Sequence, residues 1–500
     1  MSSLQLKPVP TGQSIADTFS SLHEVAFITI ICMSQFLTQA NIGICVSTLD
    51  IIGDSFHVTE AGVLSGFIAG YSLAVSTFIL IFGCCGDIFG YHHMFLIGFI
   101  WLAIWSVVAG GSVYSSHLLF IFSRVLQGLG PAILLPNGLA LLGATYEPGK
   151  KKNMIFAIFS ATAPNGALLG AVFSSLFSEL AWWPCTYWPM ATVSAICAII
   201  GILVIIPIKH TSTKGRTLLE IVEMLDLPGA VLGITGLVLV NVAWNQAPIV
   251  GWQTPYTYIL LIIGVLFLAV FMVVEVRFAK NPILPVSVFT SDISFVLGCV
   301  ACGWGSFGIW IYYFWRFQEK FRGDSPLLAS AEFVPAGIMG IVASFTTGLL
   351  MSRLRPGWIM VLSLTAFTVG SILTAIAPVH QTYWGLTFVC LLIIPWGMDM
   401  SFPAATLMLS NASKKEHQGI AASLITTVIN YSISFSLGFA GTIEANVNNG
   451  GVTAHDILKG YRAALHLAIG IGGLGIALSA IYRLRSYGKR SGEETEQEDA

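Results

Sequence analysis

Long apolar runs alternate with short polar connections along almost the whole chain. A helix needs about 20 apolar residues to cross the hydrocarbon core of a bilayer, and fourteen runs approach that length. They cover residues 25–46, 61–82, 94–112, 118–143, 154–177, 188–208, 227–245, 256–274, 293–315, 326–351, 358–378, 383–408, 418–441 and 463–483. The pattern predicts an all-α integral membrane protein with about fourteen transmembrane helices, here called spans 1 to 14.

The composition agrees with a surface that faces lipid. Hydrophobic residues make up 55% of the 500 residues and charged residues only 10%, whereas a soluble domain carries roughly 25% charged residues. The net charge of −2 gives no reason to expect a nucleic-acid partner. The lipid bilayer is therefore the partner that composition predicts.

The sequence lacks the motifs of the common enzyme classes. It contains no Gly-x-x-x-x-Gly-Lys-Ser/Thr run, so we expect no nucleotide cofactor and no ATP-driven pumping. Cys299 and Cys302 have the spacing of a metal or redox pair, but no second Cys or His pair lies near them, which favours a role in helix packing. We find no nucleophile–base cluster, and the sequence predicts neither an enzyme nor a bound metal or cofactor.

Lys and Arg are unequally divided between the two sets of connections. The termini and the even-numbered connections hold seventeen of the 23, the odd-numbered connections hold five, and Arg124 lies within span 4. Because positively charged connections tend to stay on the cytoplasmic side, both termini are predicted to be cytoplasmic. We expect a multi-pass protein of the plasma membrane.

Two distant stretches of the chain resemble each other. Gly130 and Pro136 in span 4 match Gly397 and Pro403 in span 12, both at an offset of 267 residues. Such a match predicts two homologous halves that can rock about a site between them. The predicted divisions are a cytoplasmic N-terminal segment (1–24), a six-helix bundle (25–208), linkers with two inserted helices (209–292), a second six-helix bundle (293–483) and a disordered acidic tail (484–500).

Three motifs resemble those of the major facilitator superfamily. Residues 83–93 read GCCGDIFGYHH, similar to its loop motif Gly-x-x-x-Asp-Arg-x-Gly-Arg-Arg after span 2. Residues 124–130 read RVLQGLG, similar to Arg-x-x-Gln-Gly-x-Gly in span 4, and residues 163–170 read APNGALLG, similar to the antiporter motif Gly-Pro-x-x-Gly-Gly in span 5. Fourteen spans place the resemblance in the drug:proton antiporter branch, and residues 52–56 and 396–405 resemble fungal aminotriazole-resistance and low-affinity ammonium transporters.

The resemblance implies a two-bundle fold with two extra central helices, and transport by alternating access. It also implies that the loop and span 5 motifs control conformational gating. The gating residues would be Gly83, Asp87, Gly90, Pro164, Gly166 and Gly170. The sequence departs from the family pattern at Ile88, Tyr91 and His92, where cations are usual, and at Ala163, where the motif has glycine.

The motif residues also predict local structure. Gly83 and Gly90 would permit a tight turn, and Asp87 would cap the N-terminus of a neighbouring helix. Gly166 and Gly170 are four residues apart, so they would share a face that allows close contact with another helix.

Arg124 is the most informative residue of the sequence. An arginine within a span costs about 2.5–3.5 kcal/mol on insertion scales and must find acceptors inside the bundle. Gln39 and Asn41 lie at a similar depth in span 1, so we predict them as its hydrogen-bond partners. The resemblance gives Arg124, with Gln127 of the same motif, a part in proton transfer or substrate binding, and the alternative is a structural clamp on backbone carbonyls.

Two carboxyl groups also lie within predicted spans. Asp399 in span 12 is about ten residues deeper than Arg124, or roughly 15 Å at 1.5 Å per residue, so a direct ion pair is not expected. It would serve as a proton-coupling site or cation ligand, or else be a neutral packing residue. Glu332 in span 10 matches Arg124 in depth and would either complete a cavity network or lie in the membrane interface.

Three functions remain open at this level. The first is a proton-coupled efflux pump for a toxin, drug or secondary metabolite, with protons as a second partner. The second is a low-affinity importer or facilitator of a small cation such as ammonium, favoured by Asp399 and by the absence of an acidic residue in span 1. The third is a nutrient-sensing receptor built like a transporter, although the short connections leave little surface for signalling.

Overall fold

The computed structural model describes residues 19–58, 61–147, 149–206, 217, 220, 224–279, 282, 289–351, 353–412 and 418–498. Within those ranges the side chains of residues 61, 62, 65, 153, 410–412, 418–422 and 483–498 are not described. Residues 1–18 of the predicted N-terminal segment, most of the linker before span 7 and the basic loop at 413–417 lie outside the described residues.

Within the described residues, fourteen helices are long and apolar enough to cross a membrane, which confirms the predicted number. We number them α1 to α14 in chain order. Their bounds are Ser21–Ser47, Ala61–Phe89, Tyr91–Gly111, His117–Thr145, Lys150–Leu180, Pro184–Val204, Leu227–Val250, Pro255–Arg277, Ser291–Phe317, Pro326–Leu350, Pro356–Ile376, Leu386–Ala412, Gln418–Val447 and Ala454–Glu498. A short helix, Leu49–Ser55, follows α1, and α10 is interrupted at Phe333.

The helix ends define two faces of the molecule. Lys151 at the start of α5 forms an ion pair with Glu24 at the start of α1, with 2.6 Å between Nζ and Oε1. Successive helices run in alternating directions, so the odd-numbered helices all begin on this side. We call it the basic face, defined by Glu24 and residues 150–152, and we call the other side the opposite face.

The packing of α1–α6 recurs in α9–α14. In the first set α1 packs on α5, and α2 and α3 both pack on α4. In the second set α9 packs on α13, and α10 and α11 both pack on α12. Each helix of the first set thus corresponds to the helix numbered eight higher in the second set, as expected for two homologous halves. We call α1–α6 the N-terminal bundle and α9–α14 the C-terminal bundle.

Each bundle has an apolar core, and a third cluster joins them. Phe95 and Phe99 are fully buried in the N-terminal bundle, and Ile293 is fully buried in the C-terminal bundle. In the third cluster Leu168 of α5 packs among residues of the C-terminal bundle that include Trp310. The bundles meet along two helix pairs, α2 with α13 and α5 with α10.

Glycines allow α5 to lie very close to α1. A Cβ on Gly166 would be 2.3 Å from the carbonyl oxygen of Phe36, and one on Gly170 would be 2.4 Å from that of Ala40. Gly43 of α1 approaches the Ala167 carbonyl oxygen in the same way, at 2.1 Å. In lipid, where apolar burial does not drive helix association, such close backbone packing holds helices together, so α1 and α5 form a tight pair.

Replacing Gly170 by alanine should therefore destabilise the N-terminal bundle. The added methyl group meets backbone rather than a movable side chain, and overpacking of this kind costs about 1–3 kcal/mol. Thermal unfolding of the purified protein in detergent should show a lower midpoint for the variant. Gly143→Ala in α4, where no atom of the described residues lies within 4 Å of an added Cβ, is the matched control, and equal midpoints for the two variants would contradict the tight-pair interpretation.

The structure corrects one prediction about the loop motif. Gly83 lies within α2 against the Ser423 side chain of α13, so the prediction that it permits a turn is wrong. The turn depends on Gly90, whose φ of +98° strains any residue with a Cβ. Helix α14 extends to Glu498, and the disorder predicted for residues 484–500 stays a prediction.

Helices α7 and α8 form the inserted pair. They pack on each other, and α7 also contacts α2 and α13. Only Thr257, Gly264 and Glu275 are buried among the residues of α8, which places most of its apolar surface toward lipid. The inserted pair therefore lies beside the junction of the two bundles.

Candidate functional site

Arg124 is completely buried in the N-terminal bundle. Its Nη2 donates to the carbonyl oxygen of Asn41 at 2.8 Å, and its Nε donates to that of Phe67 at 3.3 Å. Nη1 donates to the side-chain oxygen of Gln127. The guanidinium carbon also lies 4.5 Å from the ring centroid of Tyr71, where a cation is attracted to the π face. Arg124 thereby joins α1, α2 and α4.

Gln127 extends this network to a fourth helix. Its Nε2 donates to the side-chain oxygen of Asn41 at 2.9 Å and to the hydroxyl of Ser106 in α3 at 2.7 Å. The hydroxyl of Tyr71 donates to the carbonyl oxygen of Thr38 at 2.9 Å. In the described part of the chain Arg124 has only uncharged acceptors, so its positive charge is hydrogen-bonded but not neutralised.

Gln39 makes no hydrogen bond to Arg124 within the described residues, whereas Asn41 accepts from Arg124 through its backbone carbonyl oxygen and from Gln127 through its side-chain oxygen. Gln39 is half-buried, whereas Asn41 is fully buried. Two residues along an α-helix are separated by about 200°, so the two side chains leave opposite sides of α1. Equal depth suggested both as partners, but the helix face admits only Asn41.

Asp399 lies in α12, where that helix faces α10. It is 2% exposed, and its Oδ1 accepts a hydrogen bond of 2.9 Å from the hydroxyl of Ser344. A Cβ on Gly340 would be 3.1 Å from Asp399 Oδ2 and 3.0 Å from Cγ of Pro164 in α5. Oδ2 has no hydrogen-bond partner among the described residues. The carboxyl group is thus close to the surface that the two bundles share.

The span 5 motif serves two contacts at once. Gly166 and Gly170 hold α5 against α1, whereas Pro164 points to the other bundle and packs on Gly340. Asn165 beside it approaches Gly337 of α10, 3.3 Å from the position of an added Cβ. The motif therefore fixes α5 to its own bundle and presents Pro164 next to the site of Asp399.

Glu332 lies away from Arg124. Its Oε2 accepts a hydrogen bond of 2.6 Å from Gln318, and its carbonyl oxygen accepts one of 2.8 Å from the hydroxyl of Tyr383. Burial, reinforced by the nearby Glu332 carboxyl, raises the pKa of Tyr383 to about 12, so this hydroxyl remains a donor at neutral pH. Depth along the membrane normal did not reveal that the residue belongs to the opposite-face end of the C-terminal bundle.

Asp87 and Gly90 join α2 to α3 at the basic face. Asp87 is exposed in the last turn of α2 and accepts a hydrogen bond from the hydroxyl of Tyr91, the first residue of α3. Tyr91 stands where the family motif has arginine. A neutral donor therefore takes the place of a cation beside this carboxylate.

Three polar contacts join the bundles at the opposite face, and we call them the seam contacts. Arg316 of α9 forms an ion pair with Asp50 in the short helix after α1, with 3.3 Å between Nη1 and Oδ2. The backbone N–H of Leu327 donates to Oε1 of Glu179 at 2.9 Å. The hydroxyl groups of Ser175 and Ser330 are 3.1 Å apart. The opposite-face ends of the bundles are therefore held together in this structure.

The sequence motifs, the fourteen-helix fold and the repeated packing of the two bundles all point to one family. Residues 31–436 match the family model of the Major Facilitator Superfamily. The chain belongs to this superfamily. The match runs from α1 into α13 and includes most of both bundles and the whole inserted pair. The protein is thus a multi-pass transporter, and membership of the superfamily implies a small-molecule substrate.

Fungal relatives confirm the branch that the sequence resembles. The chain is 53% identical over 472 residues to the low affinity ammonium transporter of Saccharomyces cerevisiae, covering 94% of this chain and 90% of that one. It is 46% identical over 468 residues to the efflux pump terJ of Aspergillus terreus, covering 93% and 89%. It is 38% identical over 469 residues to the aminotriazole resistance protein of S. cerevisiae, covering 93% and 84%.

Proposed function

We propose that this protein is a proton-coupled exporter that moves a small organic compound from the cytoplasm by alternating access. The basic face would lie in the cytoplasm with both termini, since most Lys and Arg residues belong to the connections on that side. The plasma membrane is the proposed location, because an exporter there removes its solute from the cell.

The buried carboxyl group of Asp399 carries the proposal. One oxygen accepts from Ser344, and the other is buried beside Gly340 without a partner among the described residues. A buried carboxylate without a cation costs several kcal/mol, so the closed site suits a proton. Separation of α5 from α10 would admit water and let the proton leave. Release that depends on the conformation can couple a proton gradient to solute movement.

Arg124 supports this function from the N-terminal bundle. Arginine keeps its proton in proteins, and its donors are taken by Asn41, Phe67 and Gln127. We therefore propose that Arg124 orders α1, α2 and α4 and places a fixed positive charge within the bundle. The gating residues at the basic face and in α5 would act through the helix contacts described above.

Transport of ammonium is the second candidate. The relative at 53% identity is named a low affinity ammonium transporter, and a cation would satisfy the unpartnered oxygen of Asp399. Both candidates use the same carboxyl group, and they differ in what it binds during the cycle: a proton exchanged for solute, or the ammonium ion itself.

Flux into liposomes that contain the purified protein tests the proposal. An imposed pH gradient should drive aminotriazole against its own gradient, and collapse of the pH gradient with a protonophore should stop it. Flux of radiolabelled methylammonium that persists without a pH gradient would favour the second candidate. If neither compound moves with the gradient, proton-coupled transport of these classes is contradicted.

Breaking the ion pair of the seam contacts should open the opposite face. Asp50→Arg places a positive charge beside Arg316, which is mostly buried, whereas Asp50 is exposed. An exposed pair is worth about 0.2–1 kcal/mol, so we expect an increase of about 1.4- to fivefold in the population open to that face.

The measurement is labelling of Val46→Cys with a membrane-impermeant thiol reagent added at the opposite face. Val46 packs against the cluster that joins the bundles, so its accessibility reports their separation. Asp54→Asn, an exposed change in the same short helix, is the control. The double variant Asp50→Arg/Arg316→Asp should return labelling to its original rate, and unchanged labelling in Asp50→Arg would exclude this ion pair as part of a gate.

A further inference from the structure

The inserted pair lies where the two bundles move past each other. α7 contacts both α2 of the N-terminal bundle and α13 of the C-terminal bundle. If the bundles rock as proposed above, α7 cannot remain fixed to both helices. Its contacts with each of them decide which bundle carries it.

Two asparagines fix α7 to α13 within the membrane. Asn241 and Asn245 are one turn apart, and both donate from Nδ2 to the hydroxyl oxygen of Ser434, at 2.7 and 2.9 Å. Asn245 Nδ2 also lies 3.0 Å from Asn241 Oδ1. Amide groups in the bilayer that lose such partners have no water to replace them, so these bonds resist separation of α7 from α13.

Trp244 inserts between the same two helices. Its Nε1 donates to the carbonyl oxygen of Phe435 at 3.0 Å, and its ring centroid is 4.6 Å from that of Phe439. The ring fits because position 438 is glycine, where a Cβ would lie 2.3 Å from Cδ1 of Trp244. Because the Trp244 ring fits only where α13 has a glycine, movement of α7 along α13 would bring the ring against larger side chains.

The attachment continues toward the opposite face. A Cβ on Gly441 would be 3.2 Å from Cβ of Pro248, and Nε1 of Trp252 donates to the hydroxyl of Thr442 at 3.3 Å. Residue numbers increase together along both helices, so α7 and α13 run side by side in the same direction. Their contact extends over about three helical turns.

The contact of α7 with α2 is of a different kind. Within the described residues, every side-chain hydrogen bond from α7 to another helix goes to α13. α8 packs mainly on α7 and has most of its surface exposed. The α2 side of α7 thus has the weaker attachment, and movement there breaks no side-chain hydrogen bond of α7 among the described residues.

We propose that α7 and α8 are fixed to the C-terminal bundle, slide along α2 during the transport cycle, and shield the α2–α13 junction from lipid in both states. The inserted pair then acts as a lateral seal, which a transporter needs if the bundles separate along a side that faces lipid. This inference rests on the proposed movement of the bundles.

Distances between spin labels in nanodiscs test the inference without a known substrate. The labels replace three exposed residues at the opposite face, Ile249 at the end of α7, Tyr114 in the N-terminal bundle and Val452 in the C-terminal bundle. Serine replaces the four half-buried native cysteines, Cys84, Cys85, Cys185 and Cys302. Each pair of labels is measured with the original seam contacts and with Asp50→Arg/Glu179→Arg, which should separate the bundles.

We expect the 249–114 and 114–452 distances to change together, while the 249–452 distance stays constant. A 249–452 distance that changes while 249–114 stays constant would overturn the inference, because α7 would then travel with the N-terminal bundle. If 114–452 does not change, the bundles do not move, and both the proposed function and the inference fail.

A variant of Ser434 tests whether the asparagine hydrogen bonds hold α7 against α13. Ser434→Val removes the acceptor of both asparagines and should broaden the 249–452 distance distribution. Ser432→Ala is the matched control, because among the described residues the Ser432 hydroxyl donates only to the carbonyl oxygen of Val428 in its own helix. Equal distributions for the two variants would exclude the asparagines as the attachment.

Discussion

Replacing Asp399 by asparagine is expected to abolish proton-driven transport while leaving the protein folded. The amide has nearly the shape of the carboxyl group and can still accept the hydrogen bond from Ser344, but it cannot exchange a proton. Because the amide is neutral, as the protonated carboxyl group is in the proposed closed state, and has nearly the same volume, the unfolding midpoint should be close to the original. Flux driven by a pH gradient should fall to that of liposomes without protein.

A control must show that the effect belongs to this carboxyl group. Asp54→Asn removes an exposed carboxylate from the opposite face and should leave flux and its pH dependence intact. Asp399→Glu keeps an acid at the site but lengthens it against Gly340 and Pro164, so partial activity is expected. Full pH-dependent flux in Asp399→Asn would remove this residue from the coupling role.

Replacing Arg124 by methionine should give the largest loss of stability among these variants. The change removes the donor to the side-chain oxygen of Gln127 and the second donor to the carbonyl oxygens of Asn41 and Phe67, which keep their bonds within α1 and α2. A hydrogen bond to a charged group contributes about 1.5–3 kcal/mol, and three such bonds between helices and within α4 are lost, so the total is several kcal/mol. The thermal unfolding midpoint and the yield of folded protein should both fall sharply.

Lysine at the same position should recover part of the loss. Its ammonium group keeps the charge but lacks the planar fork that serves several acceptors at once. Arg353→Met, at an exposed position of the basic face, is the control and should have the original midpoint. An Arg124→Met protein with an unaltered midpoint would show that the network does not hold the N-terminal bundle together.

The sequence predicted the number of helices because each span must satisfy its own backbone hydrogen bonds in lipid, which makes hydrophobic length a local property. The duplication was also readable, since Gly130 and Gly397 occupy matching places in the two halves. The packing role of Gly166 and Gly170 could also be predicted from the sequence, because close helix packing requires small residues at a fixed spacing.

The hydrogen-bond partners of the buried polar residues could not be predicted from the sequence. Asn41 and Gln39 lie at the same depth, and only the orientation of α1 toward α4 selects Asn41. Ser344 and Gly340, which contact Asp399, carry no signal in the sequence, because a serine or glycine in a membrane helix is common. These contacts depend on side chains from other helices, and their lateral position is set by packing.

The chain by itself thus determined that it crosses the membrane many times, that it is built from two related halves, and which family it resembles. Each of those properties follows from residues near one another in sequence or from a direct comparison of motifs. Only the tertiary structure decided that Asp399 lies where α5 and α10 meet, that Glu332 belongs to a separate cluster, and that α7 is bonded to α13. The physical reason is that depth in the membrane follows from position along a helix, whereas contact depends also on rotation about the helix axis and on its neighbours.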